Sequence, residues 1–425
     1  MRSVRAFCFA CLLLAATASA ALAEGFALYE WSARGMALGR GLVGRADDAS
    51  AIAYNAAGIT QLPGTHLMGG LAFIAPMGTL DMGVSGGGSH STTTKPKTWM
   101  APHGYVSHQL TDDLWLGLGM FSRFGVGNSY DENWVGRYNV YDVGLQTFSF
   151  VPTLAWKIND MVSVSAGPEI LYADIYIKNK IPTMFGADND MKIKGDGWGI
   201  GAHLGLHLRF NEQWSLGLAY KSQMTLNVNG KAKFARQENN APFAQMANIP
   251  ETRDTDVEAT VQLPDSLALG IAYKPLDNLS FEVGAMWTRW STYNALNMYF
   301  DSGYNSINNK EWRDNWAFNA SVEYKPLDWW ALRAGIVYET SPVKEEHVDF
   351  WMPTNGRTIL SLGTGFKWNN WTADLAYAHI WVNSIDYGCT DASGINNPAL
   401  PGAAMGGSSK NVHANLYMFS IGYSF

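Results

Sequence analysis

Residues 24–61 read EGFALYEWSARGMALGRGLVGRADDASAIAYNAAGITQ, and the fold turns on what this stretch fails to be. Gly25, Gly35, Gly39, Gly41, Gly44 and Gly58 interrupt it, with Phe26, Leu28, Trp31, Met36, Leu38, Leu42, Ile52 and Ile59 scattered between them. It has neither the sustained alternation of a strand nor a helical apolar stripe of useful length. Glycine permits tight bends and close backbone approach. A compact, irregular, apolar segment of this kind needs walls supplied by the rest of the chain. A mobile tail would carry more charge and less apolar surface. The expectation is a barrel over residues 62–425 with 24–61 inside it as a hatch.

What precedes the hatch is a leader. Arg2 and Arg5 form a charged start, residues 7–16 an apolar core, and Ala21-Leu22-Ala23 a small-x-small cleavage site, so 1–23 reads as a secretory signal. The core is too short to span a bilayer as a helix. Cys8 and Cys11 leave with it, and Cys389 alone remains, so no intrachain disulfide is expected. The formal net charge is −7, and −9 without the leader's two arginines. That acidic balance argues against a nucleic-acid partner. After the leader comes no apolar run of helical membrane-spanning length, while aromatics are abundant: 17 Trp, 19 Tyr and 19 Phe. The chain is then either a soluble β-protein or a membrane β-barrel.

The strands decide. Fourteen strand-like segments follow the hatch: 65–74, 99–109, 114–122, 145–157, 162–177, 195–210, 214–233, 256–273, 279–294, 312–324, 330–338, 358–368, 371–381 and 414–425. Their connections alternate between short turns, such as 110–113 and 211–213, and long polar or glycine-rich stretches, such as 76–98 and 382–413. Interleaved short and long connections predict an even number of antiparallel strands, with short periplasmic turns and long external loops. Alternation agrees. Leu332, Ala334, Ile336 and Tyr338 are expected to face lipid, which turns Arg333 inward, and the same count turns Glu282, Glu323 and Asp374 into the lumen. Trp156, Trp214, Tyr273, Trp329, Trp330, Trp368 and Trp371 gather at strand ends, where aromatic girdles belong.

On these residues the chain resembles the FadL family of outer-membrane transporters for long-chain fatty acids and other hydrophobic compounds. The stretch Gly25–Ser32 is similar to the family's N-terminus. Ala46-Asp47-Asp48-Ala49 followed by Asn55-Ala56-Ala57 resembles its hatch motif, with Ala56 where proline is usual. The segments GLGMFSRFGVGNSY (117–130), WVGRYNV (134–140), LPDSLALGIAYKPLDNLSFEVGAMWTRWS (263–291) and WRDNWAFNASVEYKPLDWWALRAGIVYETSPV (312–343) match in order and spacing. The resemblance implies an all-β, 14-stranded antiparallel transmembrane barrel with an N-terminal hatch, in the outer membrane of a Gram-negative bacterium. It implies transport without catalysis or cofactor. It also places Phe26 against ligand and a lateral exit at a kink in strand three.

The residues support a passive device. After the leader there is no H-E-x-x-H and no pair of cysteine ligands. His203 and His207 share a strand face, but at that spacing they lie ~13 Å apart, so lumen lining is expected rather than a metal site. An apolar pocket captures an oily molecule that a water-filled pore does not: each buried CH₂ contributes ~0.8 kcal/mol, or on the order of 10 kcal/mol for an acyl chain of about 16 carbons. The hatch residues Phe26, Leu28 and Trp31 are the expected ligand contacts. Phe121, Arg123, Phe124 and Gly125 mark the expected kink, where glycines and a charge break the apolar alternation. Pro102 and Pro152 lie in the strands to either side, and which neighbour each missing donor faces is open at this point. Lys178, Lys310 and Arg313, near external strand ends, are candidates for a carboxylate head group. The expected partners are a long-chain fatty acid or similar hydrophobe, outer-membrane lipid, and the barrel assembly machinery reading the terminal Phe425; the protein is expected to act as a monomer. Two alternatives stand beside fatty-acid uptake: a channel for aromatic or alkane hydrocarbons, and a general diffusion porin.

Overall fold

The computed structural model describes residues 25–84, 88–183, 188–237, 250–348, 350–352, 355–387 and 404–425. The leader 1–23, Glu24 and Cys389 lie outside the described residues. Fourteen antiparallel strands close into a barrel. They are β1 (Thr65–Val84), β2 (Trp99–Gln109), β3 (Leu114–Phe121 and Gly125–Ser129), β4 (Asp142–Lys157), β5 (Val162–Ile181), β6 (Asn189–Arg209) and β7 (Trp214–Lys221 and Met224–Phe234). Then come β8 (Thr255–Leu263 and Ser266–Leu276), β9 (Leu279–Thr288 and Ala295–Phe300), β10 (Asn305–Asn309 and Asn315–Leu327), β11 (Trp330–Glu339), β12 (Arg357–Trp368), β13 (Trp371–Val382) and β14 (Ala404–Ser424). Each pairs with its sequence neighbours, and β14 returns to β1 from His66↔Ser424 to Val84↔Ala404. Closure removes the sheet edges from lipid, where an unpaired backbone group costs several kcal/mol, except at one interruption between β2 and β3.

The inward and outward faces follow the alternation. Leu332, Ile336, Leu362, Leu375 and Tyr417 are exposed on the outer face, whereas Glu282, Glu323, Arg333 and Asp374 are buried inside. Strand bounds differ from expectation on the external side. β5 and β6 run 20 and 21 residues, past the expected 177 and back before 195. A strand needs about 9–11 residues to cross the bilayer. Beyond that the hydrogen-bonded ladder continues while the outward residues turn polar, as at Lys192 and Lys194, so the apolar signal stops before the strand does. The expected strand 279–294 is interrupted by a 3₁₀ turn at Trp290–Thr292, and Trp312 falls outside β10.

The hatch fills the lumen. Helix α1 (Ala33–Ala37) packs on β11–β14, while α2 (Ala51–Tyr54) and the 3₁₀ turn Ala56–Gln61 pack on the opposite wall, β3–β6. Nearly every residue from 25 to 60 is buried. The Ser32 hydroxyl caps α1 by accepting the Gly35 N–H at 3.0 Å. Where the hatch backbone crosses β7 and β8, the wall has glycine for space: a Cβ on Gly217 would fall 1.8 Å from the Val43 carbonyl oxygen, and one on Gly270 2.7 Å from the Gly44 nitrogen.

Candidate functional site: the hatch, the strand break and the cavity between them

The charges that alternation turned inward hold the hatch. Glu282 of β9 is 1% exposed and accepts the Val43 and Gly44 N–H groups at 3.0 Å each and that of Arg45 at 2.8 Å. The Arg45 guanidinium stands 3.6 Å from the same carboxylate. On the hatch's other flank Arg34 reaches Asp47 at 2.7 Å, Asp48 at 2.9 Å and Glu323 of β10 at 3.0 Å. Arg333 extends the chain to Glu323 at 2.6 Å and Asp374 at 2.5 Å. Burial by itself lowers the Arg34 pKa, but Asp47, Glu323 and Asp48 outweigh it and raise the guanidinium above its ordinary value. Asp47 is 44% exposed at its side chain, so the upward push of partial desolvation is outweighed by Arg34, which holds the carboxyl below its ordinary value. In the Asn55-Ala56-Ala57 turn, Asn55 Nδ2 donates to the Val43 carbonyl at 2.9 Å and to that of Leu206 on β6 at 3.0 Å.

β3 breaks where glycines and Arg123 interrupt its pattern. Below the break it pairs with β2, ending at Gly104↔Met120. Above it Gly125–Ser129 pairs with β4 alone, from Gly125↔Gln146 to Ser129↔Asp142. Residues 99–103 of β2 are then in register with β1 on one side and with no strand on the other. Pro102 sits in that stretch. The pairing missing at Pro152 is with β5: residues 151–153 are skipped between Phe150↔Ile170 and Leu154↔Ala166, while Pro152 stays in register with Leu118 of β3.

The hatch N-terminus bridges the break in β3 itself. The Leu28 N–H donates to the Arg123 carbonyl at 2.8 Å, the Gly125 N–H donates to the Phe26 carbonyl at 2.9 Å, and Ala27 bridges Phe124. Arg123 itself turns inward and is 3% exposed. Its guanidinium reaches Glu169 of β5 and the Pro264 carbonyl at the β8 break, both at 2.9 Å. Glu169 also accepts from Ser149 Oγ at 2.7 Å. Pairing of Arg123 with Glu169 removes what would otherwise be an isolated charge in a buried wall.

A cavity of about 190 Å³ lies along this break. Phe26 and Leu28 line it from the hatch, Phe124 to Asn128 from β3, Trp99 and Met100 from β2, and Trp351 and Met352 from above. Met100 is 57% exposed on the outer face, so the same cavity touches the hatch and the lipid side of the wall. The Phe26 ring is boxed by Phe124, Trp290, Tyr293 and Trp312, with centroids 4.7–5.9 Å away.

Some expected contacts move. Trp31 does not line this cavity. It lies deeper, its Nε1–H donating to the Ser122 carbonyl at 2.9 Å and its ring 5.0 Å from that of Phe121. The three expected head-group cations are also elsewhere. Lys178 is paired with Asp142 at 3.0 Å, Lys310 is buried with its Nζ 5.9 Å from the Trp351 ring, and Arg313 donates to the Ser341 carbonyl at 3.1 Å. Among the described residues the guanidinium on the cavity wall is that of Arg357, ion-paired with Glu339, which also pairs with Arg40. Sequence reasoning had no signal for it, because β12 begins at Arg357 and alternation does not separate a strand end from a loop. His203 and His207 do face inward, but each is spent on a structural bond: His203 to the Thr153 hydroxyl at 3.0 Å, His207 to the Gly44 carbonyl at 2.9 Å.

The sequence profile of the family described as outer membrane protein transport protein (OMPP1/FadL/TodX) matches residues 14–425. The chain belongs to this family. It is therefore an outer-membrane β-barrel of a family that transports hydrophobic compounds. Outer membrane protein P1 of Haemophilus influenzae is 23% identical, over 97% of both chains. The long-chain fatty acid transport protein of Escherichia coli K12 is also 23% identical, over 82% of this chain and 85% of its own. Among solved structures, a Pseudomonas aeruginosa FadL homologue superposes with a TM-score of 0.84 at 19% identity, covering 95% of this chain and all of the other. The toluene transporter TodX of Pseudomonas putida gives 0.69 at 15% identity, with the same coverage. These two structures show the shared fold.

Proposed function

We propose that this family member carries long-chain fatty acids or similar hydrophobic molecules passively across the outer membrane as a monomer, releasing them sideways through the break in β3. The observation that carries the reading is the cavity that runs from Phe26 on the hatch to Met100 on the outer face. A hydrophobe leaving it gains more from lipid than from periplasmic water, so the wall is the favourable exit. The curated relatives named as long-chain fatty acid transport proteins support the substrate class. The carboxylate would meet Arg357, whose side chain belongs to the cavity lining.

A second reading is favoured by the size of the cavity. About 190 Å³ is close to the ~150 Å³ of an apolar space that holds benzene. Uptake of a monoaromatic hydrocarbon would need no cation at all. Binding of palmitate and of toluene to the parent and to Arg357→Gln separates the two. Loss of palmitate affinity alone supports the fatty acid. Toluene binding with no palmitate binding in the parent supports the hydrocarbon. Steady ion conductance through the intact barrel would sink both in favour of a porin.

A further inference from the structure

The interruption between β2 and β3 is a framed opening. Below, the ladder resumes at Gly104↔Met120. Above, the Lys95 N–H donates to the Ser129 carbonyl at 2.7 Å, which ties the approach to β2 back onto the end of β3. Between these two seams residues 99–103 and 125–129 share no ladder.

One side chain lies across that frame. Gly127 and Gly144 face each other in register. A Cβ on Gly127 would fall 1.9 Å from Cε2 and 2.2 Å from Nε1 of Trp99, and one on Gly144 would fall 2.7 Å from its Cη2. Neither glycine has the positive φ that would itself demand glycine. The pair makes a flat seat on which the indole rests, and Tyr176, in register with Gly144, flanks it. Lys97 covers the ring, its Nζ 4.5 Å from the centroid, and is held there by Asp142 at 3.1 Å and by the Tyr176 hydroxyl.

The balance of forces on the ring is narrow. The cation–π contact and the packing on two glycines hold it down. Against them, Trp99 Nε1 is buried with no acceptor among the described residues. A buried donor without an acceptor carries a desolvation penalty that disappears when the ring swings out. The ring also lines the cavity that reaches from Phe26 to Met100, so it stands on the boundary between hatch and lipid.

We propose that Trp99 is the shutter of this opening and that its indole sets the cross-section of the hydrophobe that leaves through the wall. The proposal rests on the lateral route put forward above. A slender acyl chain slips past the edge of the seated ring. A fused-ring hydrocarbon needs the ring displaced from Gly127 and Gly144. Trp99 is thereby a specificity-determining residue, and Gly127 is its seat.

The test compares palmitate with a pyrene-type hydrocarbon, both labelled, in cells whose barrel content is matched by heat-modifiable mobility. Trp99→Ala should raise pyrene uptake by about threefold to thirtyfold, the range that loss of the Lys97 clamp corresponds to. Palmitate uptake should change by less than about twofold on the same scale. Gly127→Ala puts a methyl where the indole lies and should act in the same direction with Trp99 intact. The double variant should match Trp99→Ala, because both changes remove one seated ring. The route is tested separately in a Cys389→Ser background, with Met100→Cys and Val126→Cys joined by a short bismaleimide across the opening. If the bridge blocks both ligands while Trp99→Ala and Gly127→Ala leave the pyrene-to-palmitate ratio unchanged, the shutter is refuted and the route stands. If bridged protein still transports both, the lateral route itself fails.

Discussion

Glu282 is the most informative single residue for the closed state, because one buried carboxylate holds three consecutive backbone donors of the hatch. Its oxygens accept from Val43, Gly44 and Arg45, and the Arg45 guanidinium lies beside them. Glu282→Ala leaves three N–H groups without their acceptor and the Arg45 guanidinium without this counter-charge, in a site 1% exposed. Removing one partner of a buried pair costs ~3–5 kcal/mol. At about 1.4 kcal/mol per factor of ten, the docked-to-released ratio of the hatch falls by about 10² to 10⁴. Glu282→Gln should fall between, since its amide oxygen still accepts while its NH₂ confronts a third donor. The assay is single-channel current in a planar bilayer. The parent should stay closed to ions, and Glu282→Ala should show frequent large openings with heat-modifiable mobility retained. Ser280→Ala, which removes one 3.2 Å contact to Arg45 Nε, is the control and should stay closed. Currents from Glu282→Ala indistinguishable from the parent would refute the idea that this carboxylate keeps the hatch docked.

Two further outcomes follow from the same geometry. Phe26→Ala empties the box formed by Phe124, Trp290, Tyr293 and Trp312, and should weaken ligand affinity or uncouple it from uptake; normal values of both would remove Phe26 from the site. Acid should loosen the hatch, because the Asp47 carboxyl sits below its ordinary 3.8 when docked against Arg34. Its contribution is complete above that ordinary value and is lost as pH falls through the lowered one, so conductance should appear only in strong acid and Asp47→Asn should shift its onset upward. An onset identical in Asp47→Asn would point to another carboxylate.

How far the sequence carried the reading depends on the kind of signal. Alternation turned Glu282, Glu323, Arg333 and Asp374 inward, because a charge on the lipid face of a barrel is costly and period two leaves it one other choice. The apolar, glycine-broken hatch and the interrupted pattern at Phe121–Gly125 were legible for the same reason: each violates the rule its surroundings obey. What failed had no such contrast. The outer ends of β5 and β6 carry polar residues on a continuing ladder, and polarity alone does not mark where pairing ends. Lys178 looked available for a carboxylate, yet its partner Asp142 lies on the adjacent strand, 36 residues earlier. The seat of Trp99 was invisible because it joins three positions, 99, 127 and 144, that only the break in β3 brings together.

The two attachments of the hatch differ in chemistry, and that difference decides what a hydrophobe can release. Toward the barrel's interior network it is held by ion pairs, through Arg34, Arg45 and their carboxylates, which an oily molecule cannot replace. At the β3 break it is held by two backbone hydrogen bonds, from Leu28 and Gly125, and by the ring box around Phe26. Two such bonds are worth ~1 kcal/mol each in net terms. The buried Phe26 ring adds about 1.5–3 kcal/mol, so burying eight or more methylenes of an acyl chain, at ~0.8 kcal/mol apiece, returns more than the whole attachment. The expected outcome is that a ligand competes for the segment 25–28 while the ion-paired part stays docked. Spin labels at Ala27→Cys and Ala49→Cys, in a Cys389→Ser background, read the two attachments separately. Saturating palmitate should mobilise the label at 27 and leave that at 49 immobile. Equal mobilisation at both would mean that the hatch moves as one body, and the division of labour between ion pairs and hydrogen bonds would have to be abandoned.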